Sequence, residues 1–285
     1  MAQARTRSSR LRLGIAEHAT GIIASVLFLA PIVWTVLSAF KPRQEARLPP
    51  LPPWPTTGFS VENYGTLNTF GDGLWLPAQN SIYVSVMTVV FSVIVSVLAG
   101  YGFSRFRFPF KDLLFIVILS TIMIPFQSIL TPIFLVLTKI GLHNTLTGLV
   151  LVYTTLQLPF SIFMMRNAFD AVPREIEEAA RMDGANNVTM LLQVMLPLVW
   201  PGIVTIALFA FLGAWNEFLA ALVLMTDQSK FTLPIMMTAL QSGRFGAIDW
   251  GAVQAGVTVM MVPCLVLFLL LQRFYIRGLM AGAVK

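Results

Sequence analysis

The sequence predicts an all-α integral membrane protein with six transmembrane helices. Of its 285 residues, 56% are hydrophobic and only 11% are charged, whereas about a quarter of the residues in a soluble domain are charged. Six apolar segments reach the length of about 20 residues that a helix needs to cross the hydrocarbon of a bilayer. Lysines and arginines concentrate in alternate connections between these segments. The apolar segments follow one another so closely that a single membrane domain accounts for the chain.

The six spans are predicted at 19–40, 80–104, 112–138, 147–168, 201–226 and 251–272, which makes residues 19–272 the membrane domain. A basic segment, residues 1–18, precedes the first span. A cleaved signal peptide also has a basic segment before its apolar core. The apolar run of the first span is longer than the roughly 7–15 residues of such a core. We therefore expect the first span to remain in the membrane.

The basic residues set the orientation of the spans. If the N-terminus is cytoplasmic, thirteen lysines and arginines lie in or beside inner segments and six lie in outer ones. Inner loops carry the excess of basic residues in membrane proteins. We therefore expect residues 1–18 and the tail 273–285 to be cytoplasmic. This placement also explains the net charge of +6 without a nucleic-acid partner.

Two long connections are predicted on the outer side. Residues 41–79 are rich in proline, which disfavours helix and favours stiff extended turns, so we expect this loop to lie against the outer surface. The other connection, residues 227–250, contains an apolar stretch at 232–240 that is too short to span. A re-entrant or surface-lying segment is expected there.

The connection at residues 169–200 is a hydrophilic island on the predicted cytoplasmic side. Pro173 suits a first helical position, and the acidic residues at Glu175, Glu177 and Glu178 suit the positive end of a helix dipole. Gly184 is expected to end this helix, leaving a rod about 15 Å long at 1.5 Å per residue. The island therefore predicts a compact helix that a partner could approach.

A second short helix is predicted after Gly184. Asn186 or Asn187 can cap it, and its apolar residues recur at i, i+3, i+4, i+7 and i+8; they are Val188, Leu191, Leu192, Met195 and Leu196. We expect this helix to lie along the bundle or the membrane surface. Pro197 and Pro201 are expected to end it and to turn the chain into the fifth span.

The island resembles a known sequence motif. The run E-A-A-x-x-D-G-A from Glu178 to Ala185, followed by Leu196 and Pro197, resembles the EAA loop of permease subunits of binding-protein-dependent ABC importers. Three further segments are similar to the carbohydrate, maltose-type (MalG-like) subfamily, so that the resemblance extends over residues 80–285; they are Tyr101–Asp112, Trp215–Leu224 and Gln272–Lys285. One such string alone would be weak, because helices rich in alanine and glutamate are common. Four segments in the same order make the resemblance specific.

The resemblance implies the type I ABC importer permease fold and the import of a sugar or oligosaccharide by alternating access across a bacterial cytoplasmic (inner) membrane. It implies that a coupling helix sits in a cleft of a cytoplasmic ATPase; its residues would be Glu178, Ala179, Ala180, Asp183 and Gly184. The implied partners are a second homologous permease, two ATPase subunits and an extracytoplasmic solute-binding protein that meets the outer loops. The tail residues Gly278, Gly282 and Lys285 would contact the ATPase.

The chain is predicted to lack an ATPase site of its own. A phosphate-binding P-loop requires a Gly-Lys pair, and none of the five lysines follows a glycine. We therefore expect no catalytic residue, no metal site and no cofactor on this chain, with ATP and Mg²⁺ bound by partner ATPase subunits.

Several polar residues lie within the predicted spans and are candidates for the translocation path. Glu217, beside Asn216, lies about 24 Å along the fifth span at 1.5 Å per residue, in the outer part of the bilayer. An intramembrane charge suggests function, although a hydrogen bond to a neighbouring helix would also explain it. Gln127 and Ser128 follow Pro125, and Gln157 precedes Pro159; these polar groups could meet sugar hydroxyls or satisfy backbone groups freed by the prolines.

One face of the second span carries a stripe of small hydroxyl residues. They are spaced by 4, 3, 4 and 4 positions, which places them on one side of a helix; they are Ser81, Ser85, Thr88, Ser92 and Ser96. Such stripes occur where helices pack closely, and we favour this interpretation over a pore lining.

Three other functions are compatible with parts of the sequence. An importer of the same build could carry a polyol or glycerol phosphate, because the motifs carry no information about the solute. A standalone secondary transporter should show inverted repeats or coupling-ion residues near the midplane, and it would leave the EAA-like run unexplained. A membrane enzyme is disfavoured because no nucleophile, acid–base or metal cluster appears in the spans.

Overall fold

The regular secondary structure is all helix, without strands, in the residues that the computed structural model describes, namely 2–46, 51–244 and 246–283, with side chains described from residue 18 to residue 271 of these ranges. The helices in these ranges are α1 (Ala2–Ala39), α2 (Glu62–Thr66), α3 (Trp75–Arg105), α4 (Lys111–Ser120), α5 (Phe126–Lys139), α6 (Leu146–Asp170), α7 (Arg174–Met182), α8 (Asn187–Thr189), α9 (Leu196–Asn216), α10 (Leu219–Leu224), α11 (Leu233–Gln241) and α12 (Trp250–Ala283). Short 3₁₀ turns lie at Leu67–Thr69, Thr121–Met123 and Gln228–Lys230.

Five helical segments are long and apolar enough to cross a membrane, and α4 with α5 makes a sixth if that bent pair counts as one span. The five segments are His18–Ala39, Trp75–Arg105, Leu146–Asp170, Asn187–Asn216 and Trp250–Leu271. By length and composition the described residues therefore contain five or six candidate membrane segments, and the larger number is the one predicted from the sequence. Helices α1 and α12 extend beyond their apolar segments. Most of residues 1–18 therefore belong to α1, and most of the tail 273–285 belongs to α12.

The third predicted span is not a single straight helix. Helices α4 and α5 are bent by 104° at the break between Met123 and Phe126. Ile124 has an extended backbone (ψ 120°), because the ring of Pro125 disfavours the helical conformation in the residue before it. The prediction of one helix over 112–138 is therefore wrong at this point.

The fifth predicted span is wrong at both ends. Pro197 does not end a preceding helix, because a π-helical segment at Met190–Met195 leads directly into α9 and Pro197 lies in the first turn of α9. The apolar helix then stops at Asn216, and Glu217 has an extended backbone (ψ 131°) before α10 begins. The segment predicted as 201–226 is therefore a continuous helix from Asn187 to Asn216 followed by a break and a short helix.

The described residues form two compact units, and each is treated by itself. The first contains residues up to Phe70 together with Ala239–Met261. Within it, the buried side chain of Asn63 donates hydrogen bonds to the carbonyl oxygens of Ala39 (2.9 Å) and Lys41 (2.7 Å). Arg43 forms an ion pair with Asp249 (2.9 Å). Parts of the two connections predicted on the outer side therefore contact each other.

The second unit contains Gly71–Thr238 and Val262–Lys285, and α3, α6 and α9 form its centre. The hydroxyl stripe of α3 is buried, with Ser85, Ser92 and Ser96 each 0% exposed. At the same interface a Cβ on Gly100 would lie 2.6 Å from Cβ of Met165 in α6. The prediction that this stripe marks close helix packing is confirmed.

The apolar stretch at 232–240 forms helix α11 and is not surface-lying. Leu233 and Ile235 are each 1% exposed and Met236 is 3% exposed. The stretch is too short to span but apolar on most sides, which is typical of a buried helix.

Candidate coupling site

Helix α7 forms the rod predicted in the hydrophilic island. Pro173 is its N-cap rather than its first helical residue, with an extended backbone (ψ 141°). Gly184 has a φ of +85°, a left-handed conformation that glycine adopts at low cost after a helix. The amide of Gly184 donates to the carbonyl of Arg181 (3.0 Å) and that of Ala185 to the carbonyl of Ala180 (3.0 Å). The predicted helix end at Gly184 is confirmed.

The residues of the EAA-like run lie mainly on the exposed side of α7 and the turn after it. Glu178, Ala179, Asp183 and Gly184 are exposed, whereas Ala180 is half-buried and packs against the hydrophobic core. Exposed apolar side chains, Met182 (88%) and Ile176 (38%), lie on the same helix. The candidate residues are thus brought together on one accessible surface that combines charge with apolar area.

Glu177, the neighbour of Glu178, points the other way. Its side chain is 9% exposed and forms an ion pair with Arg105, whose side chain is 8% exposed. Arg105 is the last residue of α3. Sequence reasoning missed this pair: Arg105 was counted only for topology and Glu177 only for the helix dipole, and nothing in the local pattern links residues so far apart in the chain.

Arg105 also ties α7 to the end of α6. Its guanidinium donates to the carbonyl of Val172 (2.8 Å) and to the hydroxyl of Ser104 (3.1 Å). The Ser104 hydroxyl in turn donates to Asp170 (2.5 Å), the last residue of α6. The ends of α3 and α6 and the first half of α7 are therefore joined through one guanidinium.

A second arginine extends this polar cluster to α4. Arg166 on α6 lies 3.6 Å from a carboxylate oxygen of Asp170 and 3.7 Å from one of Asp112. Its guanidinium also lies over the ring of Phe115, 4.0 Å from the centroid, a geometry that allows a cation–π attraction. These contacts join residues of α3, α4, α6 and α7 that the sequence predicts on one side of the membrane.

Asn186 caps the next helical segment, accepting hydrogen bonds from the amides of Val188 (3.0 Å) and Thr189 (2.9 Å). The apolar face predicted for this segment is only partly buried within the protein. Val188 is 66% exposed, whereas the residues buried most deeply are Met190 (1%) and Met195 (0%). The reason is the π-helical winding: hydrogen bonds from i to i+5 bring residues five positions apart onto the same face.

The carboxylate of Glu217 lies at the break between α9 and α10 and caps α10. Its oxygens accept hydrogen bonds from the amides of Ala220 (2.9 Å) and Ala221 (3.2 Å). The hydroxyl of Tyr153 on α6 donates to the same carboxylate. These three donors account for the placement of an acidic residue in an apolar stretch, because a broken helix leaves amides that must be satisfied internally.

The other path candidates occupy two places. Gln157 on α6 is half-buried, and a Cβ on Gly213 of α9 would lie 3.7 Å from its amide oxygen; Asn216 is exposed one helical turn farther along α9. Gln127 and Ser128 are exposed at the start of α5, and no described contact joins them to the α6–α9 pair. Of the tail candidates, Gly278 and Gly282 belong to the backbone of α12, and Lys285 lies outside the described residues.

Residues 60–279 match the family described as the inner membrane component of binding-protein-dependent transport systems. The chain belongs to this family. Membership makes it a multi-pass membrane protein and a transport permease subunit, and the matched range includes the exposed surface of α7.

Individual members of the family are similar over nearly their whole length. The diacetylchitobiose uptake system permease protein DasC of Streptomyces coelicolor is 32% identical over 268 residues, covering 94% of this chain and 96% of that protein. The trehalose/maltose transport system permease protein MalG of Thermococcus litoralis is 33% identical over 267 residues, covering 93% and 94%. A chain in the crystal structure of a bacterial ABC transporter involved in the import of the acidic polysaccharide alginate superposes with a TM-score of 0.79 at 24% identity, covering 94% and 98%. The family and the fold expected from the EAA-like run are thereby confirmed.

Proposed function

We propose that this chain is the permease subunit of an ATP-driven ABC importer that moves a sugar or oligosaccharide into the cytoplasm by alternating access. The observation that carries the proposal is the similarity, over more than nine-tenths of the chain, to permeases named for diacetylchitobiose uptake and trehalose/maltose transport. The standalone secondary transporter is set aside, because the chain belongs to a family whose transport depends on a binding protein.

Helix α7 is the proposed docking element for a cytoplasmic ATPase. Its support is the contrast between the two sides of the helix: Glu177 is fixed inside the protein, while Glu178 and Ala179 are accessible. A small residue beside a charge lets a partner approach closely and form an ion pair there. The exposed apolar side chain of Met182 (88%) would be removed from water on docking, and burial of apolar area stabilises protein interfaces.

The proposed assembly contains a second homologous permease, two ATPase subunits that bind ATP and Mg²⁺, and an extracytoplasmic binding protein. Both termini are placed in the cytoplasm, and the connections 41–79 and 227–250 face the binding protein. Contacts within the second unit support this topology, because the side chain of Asn144, between the third and fourth predicted spans, accepts hydrogen bonds from the amides of Thr226 (3.1 Å) and Asp227 (3.2 Å). Asn144 and Asp227 are predicted in outer connections, and Thr226 is the last residue of the fifth predicted span, at its outer end.

The translocation path is proposed to pass the α6–α9 interface beside Gln157 and Asn216, with Gln127 and Ser128 contributing from the broken third span. Amide and hydroxyl groups can exchange hydrogen bonds with sugar hydroxyls without introducing a charge. Glu217 shapes this path by holding the break between α9 and α10 next to Asn216.

The test is solute-stimulated ATP hydrolysis by the reconstituted complex, measured with its binding protein and a panel of trehalose, maltose, N,N′-diacetylchitobiose, glycerol, sorbitol and glycerol 3-phosphate. We expect at least one of the three sugars to stimulate ATP hydrolysis, and every other solute of the panel to stimulate it less or not at all. If only glycerol 3-phosphate or a polyol stimulated ATP hydrolysis, that solute and not a sugar would be the transported substrate. A complex without ATP-dependent uptake of any solute would contradict the importer itself.

A further inference from the structure

We propose that Arg105 is the positioning residue that makes α7 move as one body with the ends of α3 and α6. The inference rests on the proposed function, because it assigns the residue that passes the motion of a docked ATPase into the membrane helices. It concerns the inner side of α7, opposite the surface that the partner would contact.

The geometry of Arg105 suits this role. It is the last residue of α3 and pairs with Glu177, so the ion pair crosses from a long apolar helix to the island. Its other nitrogens reach the carbonyl of Val172 in the turn between α6 and α7 (2.8 Å) and the hydroxyl of Ser104 (3.1 Å). A planar guanidinium can hold several acceptors in a fixed arrangement, which a lysine ammonium cannot do as rigidly.

The surroundings of the pair make it stiff. Both side chains are less than one-tenth exposed, so water cannot easily replace either partner, and separating them would leave a buried charge without compensation. The turn between α6 and α7 is only three residues long, from Ala171 to Pro173. A pull on α7 is therefore transmitted through both the short turn and the guanidinium.

The rest of α7 offers fewer fixed contacts. Its outward residues Glu178, Ala179 and Asp183 are exposed, and the side chain that it packs against the hydrophobic core is the small one of Ala180. An alanine contact has little area and no direction, so it allows the helix to slide or rotate. Without Arg105, α7 would keep its fold and its docking surface but lose its fixed angle to α3.

The first experiment compares uptake per ATP hydrolysed in proteoliposomes of the complete complex, with trehalose, maltose and N,N′-diacetylchitobiose as probe sugars. The variant is Arg105→Met/Glu177→Met, because replacing both charges by apolar side chains of similar length leaves no unpaired charge and is often tolerated by a fold. The control is Arg107→Met, which removes an exposed arginine two residues later.

We expect the double variant to assemble and hydrolyse ATP while its uptake per ATP falls by about tenfold, within the range of coupling effects between distant sites. The control keeps the wild-type ratio. The charge swap Arg105→Glu/Glu177→Arg should recover part of the lost ratio, because it restores the ion pair but not the hydrogen bond to Val172. A double variant with the wild-type ratio, or a charge swap no better than the double variant, would overturn the proposal.

The second experiment needs no solute. Nitroxide labels at Arg107→Cys and Glu175→Cys, both exposed positions, are introduced with Cys264→Ala, and their distance is measured by pulsed electron paramagnetic resonance in the complex. One distance, unchanged by ATP, is expected in the otherwise wild-type complex, and an ATP-dependent or broadened distance is expected after the double Met substitution. A distance that changes with ATP while Arg105 and Glu177 are intact would overturn the proposal. Failure of the proposed function would appear separately, as an absence of uptake by the wild-type complex.

Discussion

Glu177 and Glu178 are adjacent on α7 but lie in opposite environments: Glu177 is buried in an ion pair with Arg105, and Glu178 is exposed. Successive side chains of a helix differ by about 100° in direction. One carboxylate can therefore point into the protein while the next points outward, where a partner can contact it. The two residues therefore predict separable effects on stability and on coupling.

Substitution of Glu177 is expected to reduce stability. Glu177→Ala leaves the Arg105 guanidinium buried without its carboxylate, which costs about 3–5 kcal/mol in buried pairs. Glu178→Ala removes an exposed side chain and is expected to change the free energy of unfolding little. Thermal unfolding of the two purified variants checks this. Equal melting temperatures would mean that the ion pair does not stabilise the fold.

Glu217 is expected to act as a helix cap within the membrane segment. Glu217→Ala leaves the amides of Ala220 and Ala221 without their acceptor, at a cost of about 1–3 kcal/mol for each buried group left unsatisfied. Glu217→Gln keeps one carbonyl oxygen as an acceptor, so it should lose less stability than Glu217→Ala and retain most of the uptake. Melting temperature and uptake are measured together. A stable Glu217→Gln variant without uptake would show instead that the negative charge is needed for translocation.

Two glycines on α3 provide a matched test of helix packing. Gly100→Ala would place a Cβ 2.6 Å from Cβ of Met165 and 2.9 Å from the backbone nitrogen of Arg166, so α3 and α6 must separate, at a cost of about 1–3 kcal/mol. Gly102 has nothing within 4 Å of such a Cβ, and alanine is favoured over glycine within a helix by about 0.5–1 kcal/mol. In chemical or thermal unfolding, Gly102→Ala should be the most stable protein, the wild type should come second and Gly100→Ala should be the least stable. The reverse order would contradict the close α3–α6 contact.

The connection between α1 and α2 contains a carboxylate whose contacts should depend on pH. Hydrogen bonds from the hydroxyl of Thr57 and the amide of Thr56 lower the pKa of Glu45 from 4.5 to about 2. A lowered pKa in the folded state means that these contacts contribute fully above the unfolded value and are lost as the pH falls through about 2.

Hydrogen exchange of the peptide that contains Thr56 and Thr57, corrected for the intrinsic rate at each pH, measures this loss. Protection should persist below pH 4.5 and disappear near pH 2. Glu45→Gln should show no such transition, and Glu62→Gln, at the exposed first residue of α2, should keep it. The same transition in Glu45→Gln would assign the pH dependence to another group.

Local chemistry predicted much of the fold. Apolar length identified six membrane segments, Gly184 identified the end of α7, and Asn186 was one of two residues named for the cap that it forms. The break before α5 could have been predicted from Pro125, because a proline restricts the backbone of the residue before it. It was missed because the apolar run on both sides of Pro125 is long enough for one span. These features depend on residues that are neighbours in sequence.

The features that were missed depend on tertiary contacts. Pro197 was expected to end a helix, yet the π-helical segment before it allows the helix to continue. The pair of Arg105 with Glu177 exists only because the ends of α3 and α6 lie together. Likewise, Glu217 was identified as unusual, but its role as a cap depends on Tyr153 from another helix as well as on the break after Asn216.

Glu178→Lys tests whether the exposed side of α7 receives force from an ATPase. The measurement is ATP-driven sugar uptake by the reconstituted complex, with Glu175→Lys, an equal charge reversal at another exposed position of the same helix, as the control. We expect the complex with Glu178→Lys to lose the ATPase or to hydrolyse ATP without uptake, while the complex with Glu175→Lys keeps most of its uptake. Uptake by Glu178→Lys at the wild-type rate, with the ATPase bound, would contradict this expectation.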